Sequence, residues 1–224
     1  GGTIALDIDA RGAGGERLTA TLDTILLEAA ATSLQVHLDL PADGFAAAWN
    51  AAQAAAAVQV AVAANAPVLL GRTLWHETRV PLFEQLIDVR SAAERDPTSD
   101  AALPPRVWFG GRWIDHSADL FAENLALFRQ PLVGDGDVDG AGAGDELAAL
   151  TRHNGTVWRW NRPVYAPNAG RPTLRIENRV LSAPPTAVDA AADVALFVGL
   201  VTGLAADVDA LTSRLPFAVA DANF

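Results

Sequence analysis

The chain has 224 residues and a mass of 23.4 kDa, half of it hydrophobic, and a formal net charge of −11. It contains no lysine and no cysteine, which excludes Schiff-base and phosphate-loop lysines, thiolate nucleophiles, disulfides and cysteine metal sites, so a metal must take His or oxygen donors. The acidic balance argues against a nucleic-acid surface, and length and apolar content suit a single domain around one core.

Ile4, Leu6 and Ile8 alternate with small or acidic residues and predict a strand ending in a Gly-rich turn, after which Leu18 to Ala31 reads as helical. Ser33 to Leu40 is a cleaner strand, with Leu34, Val36, Leu38 and Leu40 on one face and Ser33, Gln35, His37 and Asp39 on the other. Asp43 is placed to cap a long Ala-rich helix ending near Asn65 and Pro67. That run is too polar at Asn50, Gln53 and Gln59 to be expected in a membrane. A short helix is expected over Leu82 to Val89, a surface loop over Ser91 to Pro105, and a hairpin over Val107 to Ile114 turning at Gly110-Gly111. Ser117 should cap a helix to about Arg129, with Leu120, Phe121, Leu125 and Phe128 as its apolar stripe.

Residues 134–146 are rich in Gly and Asp, and Asp135 to Glu146 matches the calcium-loop pattern of an EF-hand. Gly142 replaces the apolar residue that should pin such a loop, so a flexible connection is expected there. Thr156 to Asn161 and Thr173 to Leu181 read as strands joined by a loop over Arg162 to Pro172, and helices follow from Thr186 to Leu204 and on to Leu211. Short strands separated by helices without a regular alternation predict an α+β fold, an antiparallel sheet flanked by helices. The first residues do not read as the charged-then-apolar pattern of a signal peptide, and a cytoplasmic location is expected.

Charge reverses in one window. Six of the sixteen basic residues lie from Arg152 to Arg179, where Glu177 is the only acid. On a strand Arg175, Glu177 and Arg179 share a face, about 6.6 Å apart from one to the next. One carboxylate between two guanidiniums should stay ionised and suits a hard cation, while the arginines take phosphate or carboxylate oxygens. His37, beside Gln35 and Asp39, is a candidate ligand for Mg²⁺ or Mn²⁺ or an ordinary hydrogen-bonded histidine. Trp158 and Trp160 can stack a nucleobase, brace arginines, or fill the core.

Thr32-Ser33-Leu34-Gln35-Val36-His37, Ala64-Asn65-Ala66-Pro67, His153-Asn154-Gly155-Thr156, Arg159-Trp160-Asn161-Arg162-Pro163 and Leu174-Arg175-Ile176-Glu177-Asn178-Arg179 together resemble the glutamate–cysteine ligase family, in its bacterial carboxylate–amine ligase branch. The resemblance runs from about Thr32 to Gly203. It implies a glutamine synthetase-like sheet holding ATP, Mg²⁺ (or Mn²⁺) and glutamate, with an amine such as cysteine as acceptor. In such a site Glu177 and His37 are expected as metal ligands, Arg175 and Arg179 as catalytic contacts to phosphate or the γ-glutamyl phosphate, and Gln35 facing the same cluster. Asn154, Arg159 and Arg162 are expected to bind substrate or nucleotide. The implied reaction phosphorylates the γ-carboxylate of glutamate and then forms an amide. A non-catalytic nucleotide- or amino-acid-binding module that retains the fold is the alternative. Gly1 to Arg11 holds no glutamate where the family carries a glutamate-rich strand, so the chain is expected to be the C-terminal portion of the catalytic domain and inactive alone. Ala66 and Thr173 stand where Ser and His would be expected.

Overall fold

The computed structural model describes residues 3–10, 15–24, 26–129, 148–168 and 171–224. The Gly/Asp segment 134–146 with its calcium-loop pattern, and the turn residues Ala169 and Gly170, lie outside the described residues.

Strand β1 (Ile4–Asp9) pairs antiparallel with β2 (Arg17–Leu22), Ile8 opposite Leu18. Here the helix expected over Leu18 to Ala31 is corrected: Leu18, Ala20 and Leu22 alternate at period two with Arg17, Thr19 and Thr21, a pattern a pleated surface accepts. Only α1 (Leu26–Ala30) is helical. Strand β3 (Val36–Leu40) leads into α2 (Phe45–Ala63), whose N-cap position is Gly44 rather than Asp43. Strands β4 (Val68–Leu69) and β5 (Arg72–Thr73) form a small hairpin, and Leu70 and Gly71 both take the positive φ its two-residue turn requires.

Helix α3 (Arg79–Leu86) begins three residues earlier than expected, since Pro81 is tolerated in a first turn. Helix α4 (Ala92–Arg95) stands in the expected loop, nucleated by a reciprocal capping box between Ser91 and Glu94. The hairpin expected at Gly110-Gly111 does not form. Instead β6 (Val107–Trp108) runs parallel to β7 (Trp158–Arg159). Helix α5 (Ala118–Leu127) follows Ser117, buries Leu120 and leaves the expected stripe member Leu125 exposed. Helix α6 is Ala148–Gly155. Strands β8 (Asn161–Asn168) and β9 (Arg171–Asn178) are arms of one hairpin, so most of the loop expected over Arg162 to Pro172 is strand. Pro163 is accommodated because β8 is an edge strand. Helices α7 (Ala187–Ala205), α8 (Val208–Arg214) and α9 (Phe217–Asn223) close the chain.

The result is an α+β molecule with small sheets, as expected, and its central sheet has the order β3-β9-β8. Its inner face carries Val36, Leu38, Leu174 and Ile176 against Phe45, Trp49 and Ala52 of α2, and Phe197 and Val201 of α7 complete that core. Both α2 and α7 are long and apolar enough to cross a membrane by length and composition. Yet α2 is largely buried as a core helix, while α7 packs along it and fully buries only Phe197 and Val201.

Candidate functional site

Antiparallel register decides which side chains meet on the outer face of the central sheet. His37 pairs with Glu177, and Glu177 with Arg162; one row along, Asp39 pairs with Arg175. Because side chains alternate, these residues share the face opposite the apolar core. One row of charge therefore crosses all three strands, and a second crosses two, Val164 standing opposite Arg175 on β8.

Glu177 is the hub. Arg162 Nε donates to its Oε2 at 2.6 Å, Arg179 Nη2 donates to the same oxygen at 3.2 Å, and Arg179 Nε lies 3.1 Å from Oε1. His37 Nε2 stands 3.9 Å from Oε1, and Arg175 Nε lies 3.7 Å from the exposed Asp39. The Glu177 side chain is 4% exposed, against 41% for His37, so the row runs from the protein interior to solvent. Burial is the largest single influence on Glu177 and acts to raise its pKa. The Arg179 and Arg162 guanidiniums outweigh it and hold the carboxyl below the ordinary glutamate range. Arg179 is itself pushed down by burial and by Arg162, which Glu177 partly offsets.

Arg179 also sits 4.9 Å over the ring of Trp158, and Trp158 stacks on Phe83 at 4.7 Å. Of the three roles open to the tryptophans, Trp158 braces an arginine and Trp160, fully buried, fills the core. From the inner side the sheet is fixed by a ladder of buried amides. Asn178 donates to Gln59 of α2 at 3.1 Å and to Asn161 at 2.8 Å, and Asn161 donates to Gln53 at 2.8 Å. This ties β8, β9 and α2 together directly behind Glu177 and Arg162.

The expected site residues thus divide. His37, Arg162, Arg175, Glu177 and Arg179 share the outer face or its end, with exposed Gln35 just before β3. Asn154 is buried, donates to the Pro163 carbonyl at 3.0 Å, and lines with Arg162 a small cleft of about 80 Å³. Arg159 is wholly buried away from that face, bonded to Glu123 at 2.6 Å and to Asn124 at 2.7 Å. Asn124 in turn donates to Asn154, so Arg159 braces α5 and α6 against β7. Asp39, on the polar face of β3 with His37, is the register partner of Arg175, a pairing that strand alternation alone does not carry. Arg79 and Glu77, a buried ion pair whose guanidinium holds the Arg179 carbonyl, carried no pattern that marked them.

Two donors do not make a metal centre. Among the described residues no three His, Cys, Asp or Glu side chains stand close enough together to hold an ion. His37 and Glu177 form a pair, and both Glu177 oxygens already face guanidiniums. The donor set fits a divalent cation only in part, whereas Arg162, Arg175 and Arg179 against Glu177 and Asp39 leave a net positive face that fits an anion.

A family model described as glutamate-cysteine ligase family 2 (GCS2) matches residues 16–223. The chain belongs to that family. No curated protein and no solved structure matches the chain. Membership in glutamate–cysteine ligase family 2 implies a ligase of the glutamate–cysteine type at the family level, and the match contains every residue of the outer face.

Proposed function

We propose that the outer face of the central sheet binds the phosphates of ATP and the reacting carboxylate in an ATP-dependent ligase that joins glutamate to an amine. The observation that carries this reading is the seating of Glu177 between Arg162 and Arg179, beside His37, on the open face of an antiparallel sheet in a member of this family. A concave sheet of the glutamine synthetase kind is the arrangement we expect around it.

In this reading ATP phosphorylates the γ-carboxylate of glutamate and an amine such as cysteine attacks the acyl phosphate, releasing phosphate. Phosphoryl transfer asks the protein chiefly for positioning and charge neutralisation. Arg175 and Arg179 present guanidiniums to phosphate and acyl-phosphate oxygens, and Arg162, partly exposed, is free to leave Glu177 for the incoming anion. His37 and Glu177 would hold magnesium together with ligands from elsewhere. The chemistry supplied by the bound ion is neutralisation of phosphate charge. Because Glu177 is sheathed by arginines, its oxygens become available as phosphates draw those arginines away, which couples metal and nucleotide binding. A cytoplasmic setting in thiol biosynthesis suits such a reaction.

The incomplete donor set favours a second reading, a nucleotide- or amino-acid-binding module without catalysis. One assay separates them: ADP release by the full-length protein with magnesium, ATP and glutamate, across cysteine, other amines and no acceptor. The ligase reading expects ADP that rises with one acceptor, together with the matching γ-glutamyl product. Nucleotide binding without glutamate-dependent ADP under any condition would leave the binding module.

A further inference from the structure

One buried charge has no part in that chemistry. Arg79, the first residue of α3, is 3% exposed. Its Nη1 reaches Glu77 and the Val180 carbonyl, each at 3.4 Å, its Nη2 donates to the Arg179 carbonyl at 3.2 Å, and its Nε has no hydrogen-bond partner. These contacts are long for a guanidinium. Burial pushes its pKa below the ordinary arginine value, and Glu77 only partly offsets that. A desolvated cation held this slackly retains capacity for another acceptor.

Arg79 lines a cleft of about 240 Å³ between α3, the end of α2 and the chain after Arg179, with Asn65, Thr78 and Ser182 as polar wall and Leu27, Leu69 and Leu82 as apolar wall. The Asn65 amide donates to the Ala183 carbonyl, the Thr78 hydroxyl to that of Trp75, and the Ser182 hydroxyl to that of Ala63. The Thr78 and Ser182 hydroxyl donors are committed, whereas Arg79 Nε has no hydrogen-bond partner. Glu77 cancels much of the local positive charge, which favours a singly charged ligand over phosphate. The leucines favour one with a hydrocarbon portion, and the volume suits a molecule smaller than those filling the ~300–1,000 Å³ pockets of drug-sized ligands.

We propose that this cleft is a second binding site, taking a small carboxylate with a short aliphatic tail, the carboxylate on Arg79 and the tail against Leu27, Leu69 and Leu82. The site backs onto the Glu177 row through residue 179, whose side chain reaches Glu177 and whose carbonyl is held by Arg79. It stands independently of the ligase reading, because its test reads binding alone.

Butanoate is the probe, titrated into the full chain and followed by melting temperature and by ligand-observed NMR. It is expected to raise Tm saturably in the wild-type chain and not in Leu69→Trp, whereas stabilisation by inorganic phosphate, which the outer face can take, is expected to be equal in both. Arg79→Gln should abolish the butanoate effect, but it strips buried Glu77 of its partner and can unfold the chain. Leu69→Trp fills the cleft without touching that pair. It is expected to retain the Tm of the unliganded protein and to weaken butanoate binding roughly tenfold or more. No saturable butanoate binding, unchanged butanoate affinity in Leu69→Trp, or loss of phosphate stabilisation in Leu69→Trp as complete as that of butanoate would each overturn the assignment.

Discussion

Glu177 separates charges that otherwise repel: Arg162 and Arg179 both reach its Oε2, and Arg162 depresses the pKa of Arg179. Glu177→Gln keeps the shape and removes the charge, leaving two guanidiniums facing each other. The expected cost is roughly 1–3 kcal/mol in urea unfolding at pH 7. The folded pKa of Glu177 lies below its unfolded value, so this stabilisation is complete above the ordinary glutamate range near ~4.3 and fades as pH falls through the folded pKa. The gap between wild type and Glu177→Gln should therefore close in acid, and a gap independent of pH would mean that charge is not its origin. Arg179→Lys tests the other partner. Lysine keeps the charge but loses the two-nitrogen grip on Glu177 and the guanidinium contact over the Trp158 ring. Ligase turnover of the full-length protein should fall about tenfold or more with the fold retained, and wild-type kcat would remove Arg179 from the site. The Glu177 and Arg179 pairing was legible because alternation along one strand places them together. Arg162 joins from the neighbouring strand, so its pairing with Glu177 depends on a register that spacing along the chain does not carry.

Contacts between elements set constraints that local sequence patterns do not show. Gly110 followed by Gly111 resembles a hairpin turn, but Gly110 has φ 134° and a Cβ there would lie 3.1 Å from Phe217 and 3.2 Å from Trp49. The glycine serves a close approach of chain to α2 and α9, a constraint set by residues far away in sequence. Gly110→Ala should cost about 1–3 kcal/mol in chemical denaturation, and a loss below a few tenths would show that the loop relaxes freely. Gln53 and Gln59 of α2 are fully buried in protein, bonded to Asn161 and Asn178. Asn178→Leu leaves Gln59 and Asn161 short of partners and should destabilise by roughly 2–5 kcal/mol. Adding Gln59→Leu should recover part of that loss, and simple additivity of the two changes would argue against a coupled ladder. Strands β3 and β9 were legible because each has one apolar face, whereas α4 was missed although its Ser91 and Glu94 spell a capping box.

Electrostatics across the whole molecule set the terms on which nucleotide arrives. The chain carries −11 overall, and its basic window is an island whose outer face holds three arginines against two carboxylates. Free ATP approaching an acidic protein is repelled at long range, so magnesium should strengthen binding merely by reducing the ligand's charge. That effect is screened by salt: the Debye length falls from about 10 Å at 0.1 M to about 3 Å at 1 M. Direct coordination by His37 and Glu177 would persist, because a bond to a metal is not screened. Affinity for ATP, measured with magnesium and with chelator at low and high salt, therefore separates the two contributions. On the reading proposed for the outer face, the preference for magnesium survives high salt in the wild-type chain and disappears in His37→Ala, which changes no carboxylate or arginine. A preference that vanishes with salt in both proteins would reduce the face to a diffuse anion attractor. The donors needed to complete a metal centre would then have no partner in this chain.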